Sequence, residues 1–177
     1  MELSALMEAQ KRYYRTGATR SLAFRELMLD SLYRKIREME PEINAALRAD
    51  LGKSAFESYM CETGLTLSEI SYMKTHLRDF AAKKRVRTPL AQFPSRSYVI
   101  KEPYGCVLIM SPWNYPFMLT LEPLADAIAA GNTAILKPSA YSPATSAVIK
   151  KLIGAVFPEE YVAVIEGGRA ENQSLLE

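Results

Sequence analysis

The sequence predicts an α/β protein in which a helical N-terminal region precedes a parallel sheet with crossover helices. Three observations carry that reading. Cys106 to Met110 is an unbroken apolar run that stops on Pro112 and Pro116; Thr133 to Lys137 is a second run that stops on Pro138; and Thr120 to Gly131, between them, has helical composition. Apolar runs of this kind suit strands covered on both faces of a parallel sheet. A strand, helix, strand order makes a right-handed crossover, and its ligands sit outside the carboxyl ends of the strands.

From the N-terminus, the chain reads as helical to about residue 85. Phe24, Met28, Leu32, Ile36 and Met39 recur at helical steps, with Arg25, Glu26, Arg34 and Arg37 on other faces. Pro41 begins the next helix, Gly52 ends it at the left-handed cap position, and a third runs from Ala55 towards Arg85. Gly64 inside that third helix marks a close packing contact, at a cost of about 1 kcal/mol relative to alanine. Lys83 to Arg87 reads as a solvated helix end whose cations complement the helix dipole. Interleaved aromatics, which a nucleic-acid surface would need, are missing there.

Thr88 to Pro94 is a loop, and Ser95 to Lys101 alternates like a half-buried strand. Gly131 or Asn132 ends the first crossover helix, and Ser142-Pro143 opens the second with a capping serine and a proline in the first turn. Tyr161 to Glu166 adds a strand, followed by a short polar helix. The intervening Gly167-Gly168 is a turn or a close backbone approach to a ligand.

With 177 residues, 49% of them hydrophobic, the chain can bury a core. A formal net charge of +2 gives no global reason for a nucleic-acid partner. Met1 to Gln10 lacks the basic start and apolar core of a secretory signal. No segment approaches the roughly 18 apolar residues of a membrane helix. A cytoplasmic location without membrane attachment is the expectation, so the Asn172-Gln173-Ser174 glycosylation sequon carries little weight. Cys61, Cys106 and a lone histidine form no zinc-site spacing, so no metal is expected, and both cysteines read as structural.

The chemistry concentrates at the two strand ends, where Asn114 and Lys137 are left as exposed polar groups. Pro112 and Pro116 stiffen the loop carrying Trp113, Asn114 and Tyr115. A side-chain amide on such a loop can donate to negative charge developing on a carbonyl oxygen, although Asn114 could equally serve the turn itself. Lys137 can bind ribose hydroxyls or a phosphate, or be an ordinary strand-end lysine. Neither strand is followed by G-x-G-x-x-G, and no phosphate-binding G-x-x-x-x-G-K-[ST] occurs. A dinucleotide bound here would not sit on the usual glycine-rich turn.

Glu102-Pro-Tyr-Gly-Cys-Val-Leu-Ile-Met-Ser-Pro-Trp-Asn-Tyr-Pro116, Pro123-Leu-Ala-Asp-Ala-Ile-Ala-Ala-Gly-Asn132 and Leu136-Lys-Pro-Ser139 together resemble the aldehyde dehydrogenase superfamily. The resemblance runs through essentially the whole chain. Arg15-Thr-Gly-Ala-Thr-Arg20 and Asp50-Leu-Gly-Lys53 are most similar to the branch acting on fatty and aromatic aldehydes. It implies a Rossmann-like sheet and oxidation of an aldehyde to a carboxylic acid with NAD or NADP through a cysteine thioester. By that pattern Asn114 is the oxyanion donor, and Lys137 and Ser139 contact the cofactor. Met110, Ser111, Pro112 and Trp113 line the cofactor channel, and Tyr115 and Met118 lie near the aldehyde entrance. Many NAD-preferring relatives carry a glutamate after the Lys-Pro-Ser element; Ala140 stands there here, which leaves NADP open.

The same resemblance divides the chain into a helical region (1–94), a strand of a bridging and oligomerisation element (95–102) and the first part of a nucleotide-binding domain (103–177). It also implies a truncated fold, with the phosphate-binding turn, the general-base glutamate and the nucleophilic cysteine all beyond Glu177. The chain alone is therefore expected to be inactive, and the full-length protein a homodimer. The competing reading is a non-catalytic nucleotide-binding or oligomerisation module. Exposed apolar surface leading to self-association is a third possibility.

Overall fold

A computed structural model describes residues 3–176. Residues 1, 2 and 177, which open the expected 1–94 region and the signal-free N-terminus and close the 103–177 region, lie outside the described residues. Helices α1 (Leu3–Arg15), α2 (Leu22–Glu38), α3 (Glu40–Leu51), α4 (Ala55–Ser58) and α5 (Gly64–Ala81) come first, with a π-helical turn at Tyr59–Thr63 before α5. A two-stranded antiparallel hairpin follows, β1 (Lys84–Val86) with β2 (Ser97–Val99). Then β3 (Cys106–Met110), α6 (Met118–Ala130), β4 (Thr133–Lys137), α7 (Pro143–Val156), β5 (Val162–Val164) and α8 (Arg169–Leu176) form a parallel sheet in the order β3-β4-β5 with crossover helices. This is the α/β arrangement the sequence predicts.

The local signals explain the boundaries. Ser21 accepts from the Phe24 N–H to start α2, and Pro41 sits in the first turn of α3. Gly52 and Gly131 close α3 and α6 in the left-handed region, at φ 69° and 94°, where a side chain would be strained. Leu29, Leu32 and Ile36 of α2 share one core with Ile43, Leu47, Ile70, Leu121, Ile128, Leu136, Ile149 and Leu152. Each such side chain contributes about 1.5–3 kcal/mol on burial. The helical region is thus joined to the sheet through α6 and α7.

Helix α1 covers the other sheet face, packing Leu6 against Ile135 and Ala163. Gln10 locks it there. Its Nε2 donates to the carbonyls of Ala134 at 2.9 Å and Glu159 at 3.1 Å, and its Oε1 lies 3.0 Å from the Cys106 thiol.

Several expectations are corrected. β4 is buried at every position, but β3, expected to be covered on both faces, is an edge strand that exposes Leu108 and Met110. Composition reports what a strand tolerates, and β3 has a neighbour on one side only. The third helix does not reach Arg85: it ends at Ala81, and the basic run forms β1, with Arg85 opposite Tyr98. Pairing with β2 supplies backbone bonds that a fraying helix end would lack. Arg25 is buried rather than on the polar face; its guanidinium donates to the carbonyls of Thr19 (2.7 Å), Ala129 (3.0 Å) and Arg20 (3.2 Å). Gly131 leaves it room, since a Cβ there would lie 2.5 Å from a guanidinium nitrogen.

Ser142 does not cap α7 with its side chain. Asp50 does so from the end of α3, accepting from the Ala144 N–H at 3.1 Å and from the Thr145 N–H and hydroxyl at 2.7 Å each. A carboxylate there also complements the helix dipole. Gly64 makes the close contact expected of it, for a Cβ would lie 2.6 Å from the Tyr59 carbonyl oxygen.

Candidate functional site

Met110 pairs with Lys137 across β3 and β4, so the two loops that leave these strands start side by side. The Ser111 N–H extends the pairing with a bond to the Lys137 carbonyl at 3.2 Å. A groove of about 420 Å³ opens there, lined by Met110 and Ser111 from the first loop, Lys137, Ser139, Ala140 and Tyr141 from the second, and Gly167, Gly168, Arg169 and Asn172 after β5. Four of the residues assigned to the cofactor by resemblance, Met110, Ser111, Lys137 and Ser139, meet in this groove. Pro112 and Trp113 do not line it. They lie exposed on the loop that continues to Asn114 and Tyr115.

Lys137 is not the exposed group anticipated. It is 3% exposed, and its ammonium donates to the carbonyls of Pro138 at 2.8 Å and Gly167 at 2.6 Å. Burial pushes its pKa down from 10.5, with partial opposition from Glu171. The diglycine forms a turn at the wall of the groove. Gly167 (φ 140°) accepts from Lys137, and Gly168 donates its N–H to Glu171 at 2.6 Å. The backbone N–H of Glu171 itself, and then that of Gly168, hold the Glu171 carboxyl below its usual range. Asn172 lines the groove, and its Oδ1 is buried with no hydrogen-bond partner among the described residues.

The Asn114 loop is held from outside the sheet, by residues that sequence reasoning passed over. Glu62, in the π-helical turn, is fully buried and accepts from the N–H groups of Phe117 at 2.8 Å and Met118 at 3.2 Å, at the start of α6. Its other oxygen pairs with Lys53. Lys53 in turn donates to the Asn114 carbonyl at 3.3 Å and lies 4.3 Å from the centre of the Tyr115 ring, within cation–π range. Inside the loop, the hydroxyls of Ser111 and Thr120 meet at 2.6 Å, and Thr120 donates to the Pro116 carbonyl at 2.6 Å. The stiffness expected from two prolines is thus reinforced by side chains, while Asn114 itself stays exposed.

The π geometry is what turns Glu62 inward. The Gly64 N–H bonds the Tyr59 carbonyl five residues back, and the extra residue in that turn shifts the phase of the helix face. The legible signal was a glycine in mid-helix; the buried carboxylate beside it was not. Asp50 and Lys53, read only as part of a family turn, are both structural ties.

The two cysteines are free thiols that do not line the groove. Cys61 lies in the π turn, and Cys106 in β3 bonds Gln10. Among the described residues no cluster of three or more His, Cys, Asp or Glu is placed to hold a metal ion, and no helix is long and apolar enough to cross a membrane.

Comparison with known proteins gives consistent matches. The aldehyde dehydrogenase family profile matches residues 1–177. The chain is similar to 4,4'-diaponeurosporen-aldehyde dehydrogenase of Staphylococcus aureus, 47% identical over 166 residues covering 94% of this chain and 36% of that protein. It is 39% identical over 176 residues to aldehyde dehydrogenase family 3 member H1 of Arabidopsis thaliana, covering 99% of this chain and 36% of the relative. Among solved structures, substrate-bound Staphylococcus aureus AldH superposes with a TM-score of 0.97 at 44% identity, over 99% of this chain and 38% of that one. PnpE in complex with nicotinamide adenine dinucleotide gives 0.81 at 26% identity, over 96% and 34%. The chain spans little more than a third of the length of these relatives.

Proposed function

The chain belongs to the aldehyde dehydrogenase family, and from that premise we propose that it forms the part of a dehydrogenase that seats NAD or NADP and presents Asn114 to the aldehyde carbonyl. The observation that carries this reading is the pairing of Met110 with Lys137, which sets the groove and the Asn114 loop side by side. The groove suits a dinucleotide. An ammonium has three donors; two of those on Lys137 are taken by carbonyls, leaving one for a ribose hydroxyl. Ser111, Ser139 and Arg169 add polar groups fit for a ribose or phosphate. The dinucleotide supplies the hydride acceptor.

Asn114 would donate its amide N–H to the carbonyl oxygen as negative charge builds there, and a donor aimed in advance costs no reorganisation in the transition state. Tyr115 and Met118 would face the aldehyde, a fatty or aromatic one by the resemblance of Arg15 to Arg20 and Asp50 to Lys53 to that branch. Oxidation to the acid through a cysteine thioester would need a nucleophile, and neither Cys61, in the π turn, nor Cys106, bonded to Gln10, is proposed for that role. We therefore propose that the purified chain does not reduce NAD or NADP with aldehydes.

The deciding experiment grafts this chain in place of the matched residues of the Staphylococcus aureus relative. Asn114→Ala should then lower kcat by about 10²–10³-fold; an unchanged kcat would sink the oxyanion role. Ala140 is exposed in the groove, and without a carboxylate there a 2′-phosphate would meet no repulsion from that position. Ala140→Glu should lower kcat/KM for NADP relative to NAD, and no change in that ratio would remove Ala140 from cofactor choice.

The β1–β2 hairpin and the residue after it leave Val86, Leu90, Phe93, Tyr98, Val99 and Ile100 exposed, and exposed apolar side chains of this kind suit an interface between subunits. This supports the proposed homodimer of the full-length protein, and sedimentation of the grafted enzyme as a monomer would refute the dimer.

A further inference from the structure

Glu62 is a fully buried carboxylate to which neither the cofactor groove nor the reaction assigns a task. Burying a charge is costly unless it is paired and hydrogen-bonded, and here every partner belongs to one neighbourhood. Two are the N–H groups of Phe117 and Met118, which open α6, and the third is Lys53. Helix α6 has no acidic residue in its own first turn and no side-chain cap of its own, so Glu62 supplies from another element the negative charge its N-terminus favours. Lys53 carries the tie back across the loop, through the Asn114 carbonyl and the Tyr115 ring. The residues between these contacts are Asn114 to Phe117. The loop is therefore gripped at both ends by one ion pair rooted in the helical region.

We propose that Glu62 and Lys53 are positioning residues for Asn114: they hold the loop backbone so that its amide points to a fixed place, and they act on the reaction only through it. This rests on the reading of Asn114 as the oxyanion donor. Orientation of a donor is realised in the transition state, so loosening it lowers kcat and leaves cofactor binding alone.

The loop holds its own probe. Trp113 is the chain's single tryptophan, 54% exposed and adjacent to Asn114. In the 177-residue chain, Glu62→Gln keeps one acceptor and loses the ion pair, and Lys53→Met loses the same pair from the other side. Both should at least double the amplitude of the nanosecond local motion in the Trp113 anisotropy decay while the far-ultraviolet dichroism is retained, and Lys53→Arg should restore it. A folded Glu62→Gln chain whose Trp113 decay matches the parent overturns the proposal.

In the grafted dehydrogenase, Glu62→Gln should lower kcat tenfold or more with the KM for NAD unchanged, and should cost nothing further on an Asn114→Ala background. Additive losses, as from general loosening of the fold, would overturn it. If Asn114→Ala alone leaves kcat intact, the oxyanion reading falls while the Trp113 result still stands; if Asn114→Ala is damaging and Glu62→Gln is not, the reading survives and the positioning role falls.

Discussion

Asn114 and Lys137 follow neighbouring strands, yet they are held in opposite ways. Lys137 is buried and takes its orientation from its own sheet, through the carbonyl of the next residue and that of Gly167 after β5. Asn114 is exposed, and the loop beneath it is held by Glu62 and Lys53 of the helical region. One group is placed from within the sheet, the other by contacts from the helical region. Substitutions in the helical region should therefore reach the carbonyl end of the site and leave the nucleotide end largely intact.

The largest effect should come from Glu62→Ala, which strands a partly buried ammonium and two N–H groups. A loss of about 3–5 kcal/mol in urea unfolding is expected, against about 1–2 kcal/mol for Lys137→Met, which orphans two carbonyls but also removes a buried charge. Equal losses would erase the contrast between the two strand ends. Gly64→Ala ranks next. Its Cβ would press on the Tyr59 carbonyl, costing about 1–3 kcal/mol and loosening Trp113 with it; a stability loss that leaves Trp113 unmoved would separate the π turn from the loop.

Asp50→Ala removes the distant cap of α7, for about 1–2 kcal/mol, and should leave Trp113 as it was, because Asp50 serves the helix after Lys137. A change at Trp113 would show the two ends to be coupled.

The smallest effect is in pH. Burial lowers the folded-state pKa of Lys137 below 10.5, so between that lowered value and 10.5 the unfolded chain binds more protons and stability from this group rises with pH. Comparing urea midpoints of the parent and Lys137→Met from neutral pH to about 10.5 should show the parent gaining on the variant. A parent that loses ground would mean that Lys137 is better solvated, and nearer in kind to Asn114, than its contacts imply.

What was legible in the sequence was local. Apolar runs marked β3 and β4, glycines at left-handed positions marked the ends of α3 and α6, and paired prolines marked the loop. Contacts that join residues far apart left no periodic trace. Glu62 meets Phe117, Asp50 meets Thr145 and Arg25 meets Ala129, and each of these charged residues reads as a solvated position until its partner is in place. The π turn hid Glu62 further, because one extra residue breaks the spacing by which a helix face is recognised. β3 shows the opposite limit: its composition is that of a covered strand, but exposure depends on which elements stand next to it.

The turn from Asp50 to Lys53 is short, and its two charged ends serve different crossover helices, Asp50 at α7 and Lys53 at the entry to α6. Gly52, in the left-handed conformation between them, sets how far apart and at what angle those ends emerge. The segment acts as a spacer of fixed length. Surface loops ordinarily absorb insertions at little cost, but a single residue added here could keep only one end in register, so length variation among sequences built on this plan should avoid this turn and collect in the loop from Thr88 to Pro94.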